Sequence, residues 1–453
     1  MLGTWRKLIR VSVISAVSSV IASGQPESSD AFQWPQWRGP HGNGAAHPDA
    51  APPIVWSETE NVAWKTAIPG LGHSTPVVSN GIIHLTTAVP KGTPLPEPIW
   101  SNRPGAHDNL PISDAVRSLV VAVDFKSGDI LWSTQVDTGV PHEGGHETGS
   151  LASASPSTDG KSVFAYFGSR GLFALDRTGQ ILWSKQLGKM HSKHGHGEAS
   201  SPVLHDDLIV VNWDHEESED FLVAFDKTTG LERWRTPREE VTSWTSPIAA
   251  VVDETAQIIV SGTTAIRGYD LRTGKVIWSC PGLSKNVVAT PVYSQELGML
   301  FAGSSYEKQA FLAIKIGGAK GDLSATDRVA WTRFRRTPYV PSPLVYQGGL
   351  YYFGHYQNIL TRVTAENGTN APGAMRVEAL RNSYASPIGA SGRIYLCDLS
   401  GNTVILAAGD KPEVLQHNQL DGRFAASPVA VGSSLILRSD THLYRLEEAK
   451  SAE

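Results

Sequence analysis

The sequence predicts an all-β chain: an eight-bladed β-propeller of four-stranded antiparallel blades, closed three-plus-one by a strand from the N-terminal side. Three observations carry this. A hairpin unit recurs four times, a Ser/Thr-Pro marker recurs eight times, and one strand near the N-terminus lacks a local partner.

The hairpin unit is clearest in Gly171 to Leu187, GLFALDRTGQILWSKQL. An apolar run ends at Asp176, Thr178-Gly179 forms a turn, and a second run carries Trp183. Glycine supplies the positive φ that such a turn needs. The same order starts at Val120, Phe221 and Ile266, with Trp132, Trp234 and Trp278 at the equivalent place. The Asp and Thr side chains order each turn by bonding its backbone. The Trp at the end of the outer strand is placed to dock on the neighbouring blade.

Ser/Thr-Pro followed by an apolar strand occurs at Pro76, Pro156, Pro202, Pro247, Pro291, Pro343, Pro387 and Pro428. The spacing is about 45 residues, enough for four short strands per repeat. Proline suits the first position of a strand, where no ladder donor is lost. The one long gap, between Pro76 and Pro156, holds a polar, proline-rich insertion from Ala88 to Arg117. The last repeat ends after three strands, and Asn61 to Ala67, which carries Trp64, is expected to complete it. That join leaves no open sheet edge at the seam. Repeats five to eight are less regular. Trp331 follows the longer turn GGAKGDLSATDR, and repeats six and seven lack the Trp.

Residues 1–24 read as a secretory signal peptide: Arg6, Lys7 and Arg10 precede the apolar run Val11 to Ala22 and then small residues. The run is too short to span a bilayer. Residues 25–60 form a Pro/Gly-rich arm whose Trp34 and Trp37 are expected to pack on the outside of the body, and 61–448 form the propeller. The reading is of an exported protein, periplasmic or secreted, with no transmembrane span in the mature chain. With 18% charged residues and net charge −5 there is no broad basic surface, which argues against nucleic acid as a partner. Cys280 and Cys397 fall three blades apart and are expected to be free thiols. The basic run at Arg333, Arg335 and Arg336 is too short to argue otherwise, and Asn367-Gly-Thr is a lone acceptor pattern for glycosylation.

The motif Ala-x-Asp-x-x-(Ser/Thr)-Gly-x-x-x-Trp at Ala122 to Trp132, with variants ending at Trp183, Trp234 and Trp278, resembles the tryptophan-docking motif of the PQQ-like β-propeller superfamily. The resemblance spans about Asn61 to Leu446. It implies the fold, and it admits two kinds of function. One is a non-catalytic binding or scaffold module like BamB, for a protein of the envelope or a small ligand, acting as a monomer. The other is a quinoprotein dehydrogenase that holds pyrroloquinoline quinone (PQQ) by rim Arg and Trp, with Ca²⁺ and a carboxylate base. The adjacent Cys pair and CxxCH haem site seen among such dehydrogenases are absent, as is the lipid-bearing Cys of BamB. The binding module is the preferred reading, with no catalytic residue assigned.

Loop elaboration favours the face made by the connections into strand A and between strands B and C, including Asp214 to Asp220. Two adjacent loops are rich in imidazole and carboxylate: His142, Glu143, His146, Glu147, then His191, His194, His196, Glu198. Such donors can bind a transition metal, although the spacing matches no established signature. The alternatives are contact with a small ligand and a hydrated, structural rim with His194 and His196 bonded to loop backbone. The other rim candidates, all shortly before a strand A, are His73, Glu239, Glu240, Trp244, Asn286, Arg335, Arg336, Tyr339, Arg381, Tyr384 and Arg423. An Arg-and-aromatic rim can hold an anionic quinone or a polymer segment. Asp124, Asp176, Asp226 and Asp270 lie in turns on the far face and are given no catalytic role. No nucleophile and base are paired in the way a metal hydrolase needs.

Overall fold

A computed structural model describes residues 29–217, 219–354 and 358–449. The predicted signal peptide lies outside the described residues. Strands dominate, and they assemble into eight sheets of four or five strands plus a two-stranded ribbon. Blade one is Val77–Ser79, Ile82–Ile99, Ile112–Asp124 and Ile130–Gly139. Blades two, three and four begin at Ser157–Thr158, Val203–His205 and Ile248–Val252. Blades five, six and seven begin at Val292–Ser294, Leu344–Tyr346 and Ile388–Ala390. Blade eight has Val429–Val431, Ser434–Arg438 and His442–Glu447, and Val62–Ala67 pairs antiparallel with the last of these. The N-terminal strand therefore completes the C-terminal sheet.

Hydrogen bonds link the sheets in a circuit. The residue before each marker proline donates its backbone N–H to the hydroxyl of its counterpart in the next sheet. The circuit runs Thr75 to Ser155 (2.9 Å), Ser155 to Ser201 (2.9 Å), Ser201 to Ser246 (2.9 Å) and Ser246 to Thr290 (2.9 Å). It continues Thr290 to Ser342 (3.0 Å), Ser342 to Ser386 (2.9 Å), Ser386 to Ser427 (3.0 Å) and Ser427 back to Thr75 (3.1 Å). The recurrence of Ser/Thr before proline thus has a physical cause. The hydroxyl accepts the N–H of a buried inner-strand start that no ladder partner reaches.

On the outer side, five Trp side chains bridge to the next blade. The Nε1 of Trp64, Trp132, Trp183, Trp234 and Trp331 donates to the backbone oxygens of Phe125, Arg177, Lys227, Leu271 and Ala365. Each ring lies against the turn glycine of that blade. A Cβ on Gly128, Gly179, Gly230, Gly274 or Gly368 would meet it at 2.5–2.8 Å. The turn glycine is therefore needed twice, for its positive φ and for its missing side chain. Trp278 departs from the expected docking. It is fully buried and donates to Gln257 Oε1 within its own sheet. The turn that would receive it is the long one of blade five. Residues Gly321–Asp322 of that turn pair in parallel with blade four's outer strand instead.

The Ala88 to Arg117 insertion prolongs the two middle strands of blade one into a long, irregular hairpin. Its tip pairs Asn109–Leu110 with Gly145–His146. One further expectation is corrected: the arm does not pack on the outside. Trp34 is buried and bridges to Val78, and Pro35 oxygen accepts from Thr158 N–H. Arg38 donates to the carbonyls of Pro343 (2.6 Å), Pro387 (2.8 Å) and Asn43 (3.0 Å), in blades six and seven and the arm itself. Burial pulls its pKa down to about 9. The arm thus crosses from blades one and two to blades six and seven and closes the central channel, with Trp37 facing the cavity above it.

Candidate ligand site at the channel mouth

Above the arm lies a cavity of about 460 Å³. Its walls are the strand-A starts of the blades and the loops that lead into them. Of the predicted rim residues, His73, His146, His194, His196, Trp244, Asn286, Tyr339 and Tyr384 line it. Two residues that sequence reasoning missed join them: His107, from the insertion hairpin, and Tyr306. The described lining residues include no carboxylate, guanidinium or ammonium group.

The imidazoles are placed by long-range backbone contacts. His196 O accepts from His146 N–H (3.2 Å), and Asn109 Nδ2 donates to the His194 and Gly195 carbonyls (2.8 and 3.1 Å). His194 has φ 58°, and its Nδ1 bonds the Pro104 carbonyl at 2.7 Å. A Cβ on Gly195 would overlap Ser101 of the hairpin. His196 stacks against Trp244, whose Nε1 donates to Gly197 O (2.8 Å). The outcome is three imidazoles, His107, His146 and His196, with one ring nitrogen each within 4.8 Å of the others. His107 Nδ1 is 3.1 Å from Asp108 Oδ2, and His146 Nδ1 is 2.8 Å from Thr148 Oγ1.

Burial, then the neighbouring imidazoles, pull the His196 pKa to about 4, and burial with His107 lowers that of His146. Both shifts favour the neutral imidazole.

The remaining candidates go elsewhere. Glu198 turns from the channel into an adjoining cavity of about 300 Å³ beside blade two. Its carboxylate accepts from Ser169 N–H (2.6 Å) and Oγ (2.5 Å), over Gly168, where any Cβ would collide with it. Burial raises its pKa. Glu143 accepts from Arg103 Nε (3.2 Å) and Ser192 N–H (3.1 Å), with His191 3.8 Å away, so this group knits the hairpin to the loop. His142 bonds Met190 O at 2.6 Å. Glu240 is buried below the rim, taken up by Thr263 and Thr264. Asp214 likewise holds Arg238 at 2.7 and 2.9 Å in a buried pair. Glu147 is exposed, and its backbone oxygen accepts from Arg423 (3.2 Å). Arg335, Arg336 and Arg381 are exposed and, with Arg423, absent from the described cavity lining, as is Glu239. Cys280 and Cys397 are buried free thiols.

The sequence pattern of the family described as outer membrane protein assembly factor BamB matches residues 50–211, 116–371 and 219–453. The chain belongs to this PQQ-like propeller family. No curated protein matches it. Among solved structures, BamB from Moraxella catarrhalis is similar with a TM-score of 0.51 at 13% identity, over 80% of this chain and 99% of that one. A europium-containing methanol dehydrogenase is similar with a TM-score of 0.52 at 10% identity, over 91% of this chain and 90% of that one. At these identities the likeness is one of fold, shared by a BamB and a dehydrogenase. No helix among the described residues is long and apolar enough to cross a membrane.

Proposed function

We propose that this chain is an exported binding module whose ligand sits at the open mouth of the channel, without catalysis of its own. The observation that carries this is the pairing of a closed floor with a lining of imidazoles, aromatic rings and hydroxyls. Such a cavity can enclose and orient a small ligand or a projecting side chain of a partner. The family description, which names an assembly factor, agrees with a binding role.

The quinone reading finds little support in the same residues. Ca²⁺ needs six to eight oxygen ligands, carboxylates prominent among them. An anionic quinone is best held by arginine. The described lining offers neither group: Arg335, Arg381 and Arg423 are not part of it, and Glu198 is committed to Ser169. No step through that cofactor is derived.

The test is direct. The purified chain is incubated with PQQ and Ca²⁺, desalted, and examined by absorbance and dye-linked alcohol oxidation. The expected result is no retained quinone and no turnover. Stoichiometric retention with turnover would replace the binding module with a dehydrogenase.

A further inference from the structure

We propose that His107, His146 and His196 form a binding site for a divalent transition-metal ion at the channel mouth, with one coordination position left to the cavity. This deepens the reading of the mouth as a binding site and rests on it. It also names the chemistry that would grip the ligand there.

The geometry comes first. Three imidazole nitrogens from two separate loops and the insertion hairpin lie within 4.8 Å of one another. The ring centroids of His107 and His196 are 4.7 Å apart, those of His146 and His196 4.9 Å, and those of His107 and His146 5.7 Å. Ligands about 2.0–2.1 Å from one ion lie about 3.3 Å apart, so binding draws the nitrogens together by at most about 1.5 Å. His196 Nε2 is enclosed and has no hydrogen-bond partner among the described residues. A buried ring nitrogen without a partner costs free energy unless something satisfies it, and a metal ion would.

The surroundings fit as well. Metal-bound imidazoles characteristically hand their other nitrogen to a carboxylate or a hydroxyl. Asp108 Oδ2 stands in that way 3.1 Å from His107 Nδ1; His146 Nδ1 instead accepts the Thr148 N–H (3.2 Å), with Thr148 Oγ1 2.8 Å away. A set of three imidazoles selects Zn²⁺, Cu²⁺, Ni²⁺ or Co²⁺ over Ca²⁺ and Mg²⁺, which prefer oxygen. Three protein ligands with an open fourth position is the arrangement of a site that takes an exogenous donor. His194 has its ring 5.3 Å from that of His196 and lines the same cavity. The second cluster, His142, Glu143 and His191, is less apt, because Arg103 already occupies the Glu143 carboxylate.

The probe is Co²⁺, titrated into the full chain after stripping with a chelator, and read by its visible d–d bands and by metal analysis. The expected result is one equivalent bound with the strong absorption of a low-coordinate site, displaced by Zn²⁺. His196→Ala and His107→Ala should each weaken binding about a hundredfold or more. His191→Ala should leave it unchanged. Because His107 is exposed, His107→Ala keeps the protein folded, and thermal melting verifies this in each variant. A stripped protein that stays spectrally silent with Co²⁺ and takes up no Zn²⁺ overturns the proposal. So does binding that survives in the His107→Ala/His196→Ala double variant or vanishes in His191→Ala. These outcomes are distinct from failure of the binding-module reading, which would show as quinone turnover whatever the Co²⁺ spectrum.

Discussion

The two faces of the ring are built by different rules. On the turn face the devices repeat: an Asp that orders a tight turn, a glycine in that turn, and a Trp from the preceding blade laid across it. Asp226 shows the turn at full strength. Its Oδ1 takes the N–H groups of Thr228 and Thr229 at 3.0 and 2.8 Å, and Arg233 with these bonds lowers its pKa to about 2. The arm closes the channel on this face too, through backbone carbonyls held by Arg38. On the mouth face the Ser/Thr hydroxyls at the strand-A starts repeat, but the loop side chains above them do not. Its imidazoles come from blades one, two and three and the insertion, its phenols from blades five to seven, and their positions depend on contacts between segments distant in sequence. The contrast separates the contacts that repeat, on the turn face, from the site proposed for recognition, on the irregular one. Substitutions can test that separation.

The largest effect is expected at the docking tryptophans. Trp234→Ala removes a ring that is 9% exposed, a hydrogen bond to Leu271 O (2.8 Å) and the cover of Gly274. A loss of about 3–5 kcal/mol is expected from urea unfolding. A loss below about 1 kcal/mol would show that the seam is held by other contacts and would break the division of labour.

Next comes an acid sensitivity of the same face. His84 lies in blade one with neither ring nitrogen partnered among the described residues, its ring 5.6 Å from that of Trp132. Burial, helped by Arg177, depresses its pKa from 6.5 to about 4. The unfolded chain then binds the proton more readily than the folded one. Stability is complete above the unfolded pKa and is lost as pH falls through the window from 6.5 toward about 4. The slope approaches 1.4 kcal/mol per pH unit and the total is about 3 kcal/mol. His84→Leu should change stability little at neutral pH and flatten this part of the acid limb. An unchanged slope would assign the acid sensitivity to other groups.

A smaller difference sharpens the turn argument. Gly274 and Gly298 both have positive φ, 69° and 61°, but only Gly274 lies under a Trp. Alanine at Gly298 meets open space and should cost about 1 kcal/mol through backbone strain alone. Alanine at Gly274 must also displace the Trp234 ring, which sits 2.5 Å from the added carbon, and should cost about 1–3 kcal/mol more. Equal costs would mean that the ring yields freely.

The same division explains what could be read from the sequence. Repeats declare themselves, so the hairpins, the marker prolines and the return of Val62–Ala67 to the last sheet were legible. The arm was not. Its aromatic and polar residues look like surface, and the carbonyls that hold Arg38 lie about three hundred positions away. The inward turn of Trp278 was equally hidden, because it depends on the length of the next blade's turn. The two His-rich loops supply three of the cavity's imidazoles, His146, His194 and His196, whereas His107 was missed. A third histidine-bearing segment in the insertion was the available signal, and only the pairing of Asn109–Leu110 with Gly145–His146 makes it a neighbour. The arginine candidates, chosen for nearness to a strand start, do not line the described cavity, because nearness in sequence to a strand start does not fix which way a loop side chain faces.

The smallest expected effect lies on the mouth face, and it is informative because it is small. Arg335 and Arg381 have exposed side chains and no place in the described cavity lining. Their replacement by alanine should move stability by less than about 0.5 kcal/mol. It should also leave Co²⁺ binding at the imidazoles unaltered. A quinone- or polymer-binding rim would instead need these guanidiniums. Loss of ligand retention in Arg381→Ala, at unchanged stability, would therefore return the arginines to the site and move the recognition surface from the cavity to the rim above it.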